Sequence, residues 1–237
     1  MALVNGGGER DGRRTVVHLV RHGEVENPTG VLYGRLPDFH LSVLGRAMAE
    51  RLGEYFAPLH EQGRITHLRC SPLERAQETM DPIQTLIGLP VVTDGRVIEA
   101  DNRLEGQRVG LNRAALRNPR NWVLFRNPFT PSWGEPYVQI AARMRAAIAD
   151  AAAAAADAAT DGSGGEAVIV SHQLPIWVSR LAAEGRRFWH DPRRRECTLA
   201  SVTSFTLIER RVSAVTYTEP ARDLLPQRLA QGFVAGA

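Results

Sequence analysis

The chain contains no lysine: all 29 of its basic Lys-or-Arg positions are arginine. A phosphate loop of the Gly-Lys-Ser/Thr kind and Schiff-base chemistry both need a lysine amine, so both are excluded. Cysteine is nearly missing as well. Cys70 and Cys197 stand alone, which rules out a disulfide scaffold and a cysteine-based zinc cluster. No run of about 18 apolar residues occurs, so nothing reads as a membrane span. The Gly- and Arg-rich stretch before Thr15 lacks the apolar segment of a secretory signal. The expected location is therefore the reducing cytoplasm, without a membrane partner.

What is present is ordinary globular material. With 237 residues, 43% hydrophobic and 23% charged, the chain can bury one sizeable core. A formal net charge of +3 suits anionic ligands without demanding nucleic acid. Because every cation is an arginine, any anion site is built from planar, forked guanidinium groups.

Residues 1–14 read as a disordered tail, 15–218 as one catalytic domain, and 219–237 as a second tail. Thr15–Val20 is a β-branched strand. Val43–Ala57 carries apolar residues at helical spacing, with Ser42 as its N-cap. Ile65–Cys70 is a strand, after which Ser71-Pro72 marks a helix start running to about Ile87, kinked or restarted at Pro82. Residues 94–133 are irregular and read as an insertion or lid. Tyr137 to about Ala159 is an alanine-dominated helix whose Ala run is expected at the surface. Ala167–Val170 is a buried strand and Leu174–Ala183 a helix. Thr203–Ile208 and Val212–Tyr217 are strands about a turn at Arg210-Arg211. Strands alternating with helices specify an α/β fold, a three-layer sandwich with a mostly parallel central sheet flanked by helices.

Polar clusters follow the three clearest buried strands: Arg21-His22-Gly23-Glu24, Ser71 to Arg75, and Ser171-His172. Ligands of open α/β sheets bind outside the carboxyl ends of the strands, so two arginines and two histidines should meet at one edge. A phosphomonoester dianion wants charge-assisted donors, which Arg21 and Arg75 supply. A neutral imidazole is a competent nucleophile toward phosphorus when its other nitrogen is held by a hydrogen bond. A second imidazole, if protonated, adds charge near the moving phosphoryl group. Gly23 would let backbone approach the ligand. For Glu24, a solvated or arginine-orienting role outweighs a catalytic one.

These segments resemble the three signatures of the histidine phosphatase superfamily, the phosphoglycerate mutase-like group. RHGE after a strand, SPLERAQET about fifty residues on, and the late Ser-His carry the likeness across most of residues 15–208. The resemblance implies that His22 becomes a phosphohistidine, that Arg21, Arg75 and His172 form the phosphate pocket, and that neither metal nor organic cofactor is needed. It also implies a general acid in Val97–Gly106 (VIEADNRLEG), which puts Glu99 in that role with Glu105 as competitor, because the segment is one residue short and lacks its middle Gly. Departures occur elsewhere. Val25 and Asn27-Pro28 replace the usual residues after RHGE, so Asn27 reaches the phosphate only if its loop is reshaped. Gln173 stands where Gly is usual.

The implied activity is phosphomonoester hydrolysis of a small phosphorylated metabolite. Phosphoglycerate mutase-type transfer is the alternative, but Trp-Asn, Arg-Arg-Ser and Glu-Ser-Leu segments of mutases are missing. A non-catalytic phospho-ligand binder is the third reading, favoured if Glu99 lies outside the pocket. Trp122, Phe125, Phe129 and Trp133 interleave with Arg117, Arg120 and Arg126, better explained by an insertion over the site than by nucleic-acid stacking. Arg186-Arg187 and Arg193–Arg195 read as solvated turns, with attraction of anionic substrates as the alternative. A homodimer through an edge element is compatible with the sequence.

Overall fold

The computed structural model describes residues 13–107, 134–160 and 164–225. The expected tail before residue 13, most of the expected insertion (108–133, with all its aromatics) and residues 226–237 lie outside the described residues.

The strand after Arg13 is β1 (Arg14–Arg21), all but its first residue buried. Ser42 accepts the N–H of Gly45 at 3.0 Å and so caps α1 (Val43–Glu61). There follow β2 (Ile65–Cys70), α2 (Glu74–Ile87), β3 (Val91–Thr93), α3 (Tyr137–Ala158), β4 (Glu166–Ser171), α4 (Gln173–Ala183), β5 (Val202–Ile208) and β6 (Arg211–Thr218). The sheet order is β3-β2-β4-β1-β5-β6. Pairings from β3 to β1 are parallel, and β5 is antiparallel to both β1 and β6. Only β5 therefore opposes the common strand direction, and the sheet is the mostly parallel one expected.

Alternation along the buried strands divides the core. Val20, Leu68, Val168 and Val170 meet Met48, Leu52 and Phe56 of α1 and Met80 and Ile83 of α2 on one face. Val17, Leu19, Ala167 and Ile169 meet Ile140 and Met144 of α3 and Ile176 and Val178 of α4 on the other. Helices, sheet and helices make the three layers. The alanine run is not a surface end: Ala147, Ala151 and Ala155 are fully buried, and their four-residue spacing forms a small-residue seam that brings α3 close to the sheet.

Other local expectations need correction. α2 starts at Glu74, and Leu73, which provides no side-chain cap, precedes it. Pro82 leaves α2 unbroken. The hydrogen bond it forfeits is offset by burial of Met80 and Ile83 beside it. β3 escapes pattern reading because it is three residues long and only partly buried. The β5–β6 turn is centred on Glu209 and Arg210, both at positive φ (50° and 67°), one residue earlier than expected. Past β6, Ala221 is buried, Leu224 and Leu225 pack against the α1/α2 core, and Asp223 pairs with Arg51 of α1. Packed structure thus continues into residues that composition alone assigns to a tail. No described helix is long and apolar enough to cross a membrane.

Candidate active site

Strand register assembles the site. Arg21 of β1 lies opposite Ser171 of β4, the His22 N–H donates to the Ser171 carbonyl at 3.2 Å, and the Ser71 N–H donates to the Val170 carbonyl at 3.0 Å. Three polar clusters from distant stretches thus end side by side at the carboxyl edge of β2, β4 and β1. Arg75 joins them from the first turn of α2. Arg21, His22, Ser71, Arg75, Ser171 and His172 are all fully buried. Burying so many polar groups is costly unless they are satisfied or awaiting a ligand.

His22 has a defined tautomer. Its Nδ1 lies 2.8 Å from the Gly23 carbonyl, an atom that can only accept, so Nδ1 carries the hydrogen and Nε2 the free lone pair. Nε2 is buried and has no partner among the described residues. Burial, reinforced by Arg75 and Arg21, holds the His22 pKa well below the ordinary imidazole value, which keeps that lone pair available. The ring of His172 stands 5.2 Å away, centre to centre. His172 Nε2 bonds Ser71 Oγ at 2.7 Å, and its Nδ1 has no partner among the described residues. Burial, with Arg75, His22 and Arg21, lowers its pKa too.

Each arginine is fixed by one bond and leaves others open. Arg21 Nη1 donates to the Cys197 carbonyl at 2.8 Å, while its Nε and Nη2 are unpartnered among the described residues. Arg75 Nη2 donates to the Gly34 carbonyl at 2.6 Å, while its Nε and Nη1 are likewise unspent. Tyr33 lies under the Arg75 guanidinium, 4.7 Å from it. Neither cation has a carboxylate partner among the described residues. The two guanidiniums thus present buried, unspent donors of the charge-assisted kind that suits an anion.

Glu99 lies in the adjoining cleft with Gly34, Tyr137 and Arg195. It is 2% exposed. One carboxyl oxygen accepts the Ala100 N–H at 2.8 Å, and the other is unpartnered among the described residues. Burial raises its pKa, against the opposing pull of its own backbone bond to Ala100 and of Arg75, Arg195 and Arg21. Its segment is anchored on several sides. Ser171 Oγ donates to the Val97 carbonyl at 2.7 Å, Arg143 Nη1 to the Arg96 and Ile98 carbonyls at 2.6 and 2.8 Å, and Arg35 Nε to the Glu99 carbonyl at 2.7 Å. Glu135 pairs with both Arg35 and Arg143. Glu105, the competitor, accepts the Arg35 N–H at 2.9 Å and serves as a loop tie.

Three sequence readings gain structural detail. Asn27 makes no hydrogen bond with Arg21, His22, Arg75 or His172 among the described residues; its side-chain nitrogen donates to the Val31 carbonyl at 2.8 Å and its side-chain oxygen accepts the Val31 N–H at 3.2 Å, closing its own loop. Glu24, partly exposed, accepts the Ser42 hydroxyl at 2.6 Å and pairs with no arginine among the described residues. Gly23 is needed for backbone contact within the protein, since a Cβ there would stand 2.5 Å from the Gly45 carbonyl oxygen. Residues that sequence reasoning missed are Ser71 as partner of His172, Tyr33 beneath Arg75, Arg35 and Arg143 as anchors, and Arg195 in the cleft.

Residues 17–220 match the profile of the histidine phosphatase superfamily (branch 1), and the chain belongs to that family. Uncharacterized protein Rv0525 of Mycobacterium tuberculosis (strain ATCC 25618 / H37Rv) is 53% identical over 207 residues, covering 87% of this chain and 97% of that one. Among solved structures, the native mycobacterial glucosyl-3-phosphoglycerate phosphatase Rv2419c superposes with a TM-score of 0.65 at 23% identity, covering 87% of this chain and 97% of that one. The phosphoserine phosphatase of Entamoeba histolytica, in complex with 3-phosphoglyceric acid, gives 0.66 at 19%, covering 89% and 100%. At such identities these two structures establish the shared fold.

Proposed function

We propose that this chain is a phosphomonoester hydrolase that works through a phosphohistidine on His22, acts on a small phosphorylated metabolite and needs no metal. One observation supports the reading: the His22 Nδ1–H is committed to the Gly23 carbonyl, which leaves an unprotonated, buried Nε2 in the field of Arg75 and Arg21, whose own donors are unspent. The phosphatase activities named for the two structural relatives are compatible with it.

In the first step Nε2 attacks phosphorus, the N–P bond forms, and the ester P–O bond breaks. The departing alkoxide takes the proton of Glu99, whose burial favours the protonated acid. Arg21 and Arg75 neutralise the phosphoryl oxygens throughout. Ser71 Oγ accepts the Leu73 N–H at 3.4 Å and donates its own hydrogen to His172 Nε2. His172 Nδ1 then carries a hydrogen and offers it to the phosphoryl group while the ring stays neutral. In the second step the Glu99 carboxylate takes a proton from water, the hydroxide attacks phosphorus, and the N–P bond breaks. Inorganic phosphate leaves and both residues are restored. Two guanidiniums supply the charge that a metal supplies in other phosphatases, which is the ground for metal independence.

The test is turnover of p-nitrophenyl phosphate with and without EDTA, together with detection, after an alkaline denaturing quench, of a phosphoenzyme that is stable in base and labile in acid. The expected result is chelator-insensitive release of nitrophenol and a phosphoenzyme that His22→Ala abolishes. Interconversion of phosphoglycerates with little nitrophenol release would indicate a mutase, and phosphate binding without either reaction would indicate a binder.

A further inference from the structure

Arg195 is the cation of the Glu99 cleft that the hydrolysis scheme does not use. It follows the short 3₁₀ turn Pro192–Arg194 in an arginine run, but unlike Arg193 and Arg194 it is turned partly inward and lines the cleft with Glu99 and Tyr137. Two bonds hold it there. Its Nε donates to His190 Nε2 at 2.8 Å, and His190 can accept because its Nδ1 faces the Phe188 carbonyl at 2.6 Å. Its Nη1 donates to the Gln173 side-chain oxygen at 3.2 Å. Gln173 in turn donates to the Cys197 carbonyl, the same oxygen that anchors Arg21. The residue occupying the usual Gly position after His172 therefore ties the phosphate arginine to the cleft arginine.

The two bonds take the Nε hydrogen and one Nη1 hydrogen. Nη2 and the second Nη1 hydrogen have no partner among the described residues, and no carboxylate there forms an ion pair with Arg195. Of the other acids of the cleft, Glu99 acts on Arg195 across space without an ion pair and enters the hydrolysis scheme protonated, so it leaves Arg195 unneutralised when substrate binds. Glu135 is matched by Arg35 and Arg143, and Asp101 is exposed. What remains is one positioned, half-buried, single positive charge on the leaving-group side of the phosphate cradle.

We infer that Arg195, held by Gln173 and His190, is a specificity-determining residue that binds a carboxylate on the leaving group of the phosphomonoester. A carboxylate matches the single charge and the parallel N–H pair of the free guanidinium end. The inference rests on the phosphomonoester reading of the same site.

The experiment compares two ligands that differ at one carbon, 3-phosphoglycerate with its carboxylate and glycerol 3-phosphate with a hydroxymethyl group. Their dissociation constants are measured by calorimetry on four forms at positions 195 and 173 (wild type, Arg195→Gln, Arg195→Lys and Gln173→Gly), each carrying His22→Ala so that the ligand is not consumed, with inorganic phosphate reporting the state of the cradle in each. A charge-assisted contact of this kind predicts about a 10- to 100-fold preference for the carboxylate in the wild type. Arg195→Gln should bring the ratio near one, Arg195→Lys should recover part of it, and Gln173→Gly should lower it. A wild-type ratio near one, a preference that survives Arg195→Gln, or loss of inorganic phosphate binding in that variant would overturn the assignment. Failure of the hydrolase reading shows separately, as absence of p-nitrophenyl phosphate turnover in the wild type, and leaves the binding ratio measurable.

Discussion

Ser71 Oγ and His172 Nε2 stand 2.7 Å apart, joining the ends of β2 and β4 across 101 residues of chain. The hydroxyl thereby engages one nitrogen of the second imidazole and leaves Nδ1 open. Ser71→Ala should leave the fold intact but free that ring to rotate. Removing one preorganised donor costs about 10²–10³ in kcat, and because Ser71 acts through His172 a fall nearer tenfold is expected. Steady-state kinetics on p-nitrophenyl phosphate would check it, with Ser71→Thr retaining most of the activity.

Leaving-group dependence tests Glu99. Nitrophenolate departs without protonation, whereas an alkoxide does not. Glu99→Gln should therefore slow hydrolysis of alkyl phosphates far more than formation of the phosphoenzyme from p-nitrophenyl phosphate, by on the order of 10²-fold or more. Pre-steady-state measurement of that first step separates the acid role from the later base role. Equal losses for both leaving groups would remove Glu99 from the acid role.

The pH profile for an alkyl phosphate follows from the same two groups. His22 must be neutral and its pKa is lowered, by burial first and then by Arg75 and Arg21. Activity should therefore persist below the ordinary imidazole value of about 6.5. Glu99 must be protonated and its pKa is raised by burial, so activity should fall as pH climbs through that raised value. Stability has matching signs. A lowered His22 pKa costs stability as pH drops below the unfolded imidazole value, and a raised Glu99 pKa costs stability as pH rises above the unfolded carboxylate value. Glu99→Gln should consequently raise the Tm at neutral pH while impairing catalysis, a trade measurable by calorimetry.

An anion should repair the cradle. With Arg21 and Arg75 each holding unspent donors, inorganic phosphate at about 100 times its Kd should stabilise the protein by about 2.7 kcal/mol, which for a chain of this size raises the Tm by roughly 5–10 °C. Arg75→Ala should abolish most of that shift in a thermal melt.

Asp94 carries a structural prediction. Burial pushes its carboxyl up, but hydrogen bonds from Arg96 and Arg69 prevail and hold its pKa at about 2. It also caps the Gly95–Val97 turn that leads to Glu99. Asp94→Ala would leave Arg69, itself 6% exposed, unmatched in the interior, at a cost of about 3–5 kcal/mol. Urea unfolding would register the loss.

The site was legible where buried strands end abruptly in polar residues, because a change from apolar to charged at a strand's carboxyl end marks a binding edge without any tertiary knowledge. That rule locates Arg21, His22, Arg75 and His172. It fails for Ser71, whose hydroxyl has a plausible local use as a helix cap and a real partner far away in sequence. It fails for Arg195, which stands in a run where its neighbours are solvated, so that only the Gln173 and His190 contacts distinguish it. Pro82 and the alanine seam mislead for a related reason: propensity describes an isolated segment, while packing against the sheet decides.

The β5–β6 hairpin offers a handle of another kind. β5 ends opposite the start of β1, a strand's length of roughly 20 Å or more from the edge that carries the candidate active site. At its tip Glu209 and Arg210 hold left-handed backbone, a conformation that costs ordinary residues about 1 kcal/mol or more each, and one that Asn-Gly adopts readily. Endurance to heat can thus be tuned at a spot mechanically remote from turnover, so engineers of this scaffold need not choose between a sturdier protein and a working one.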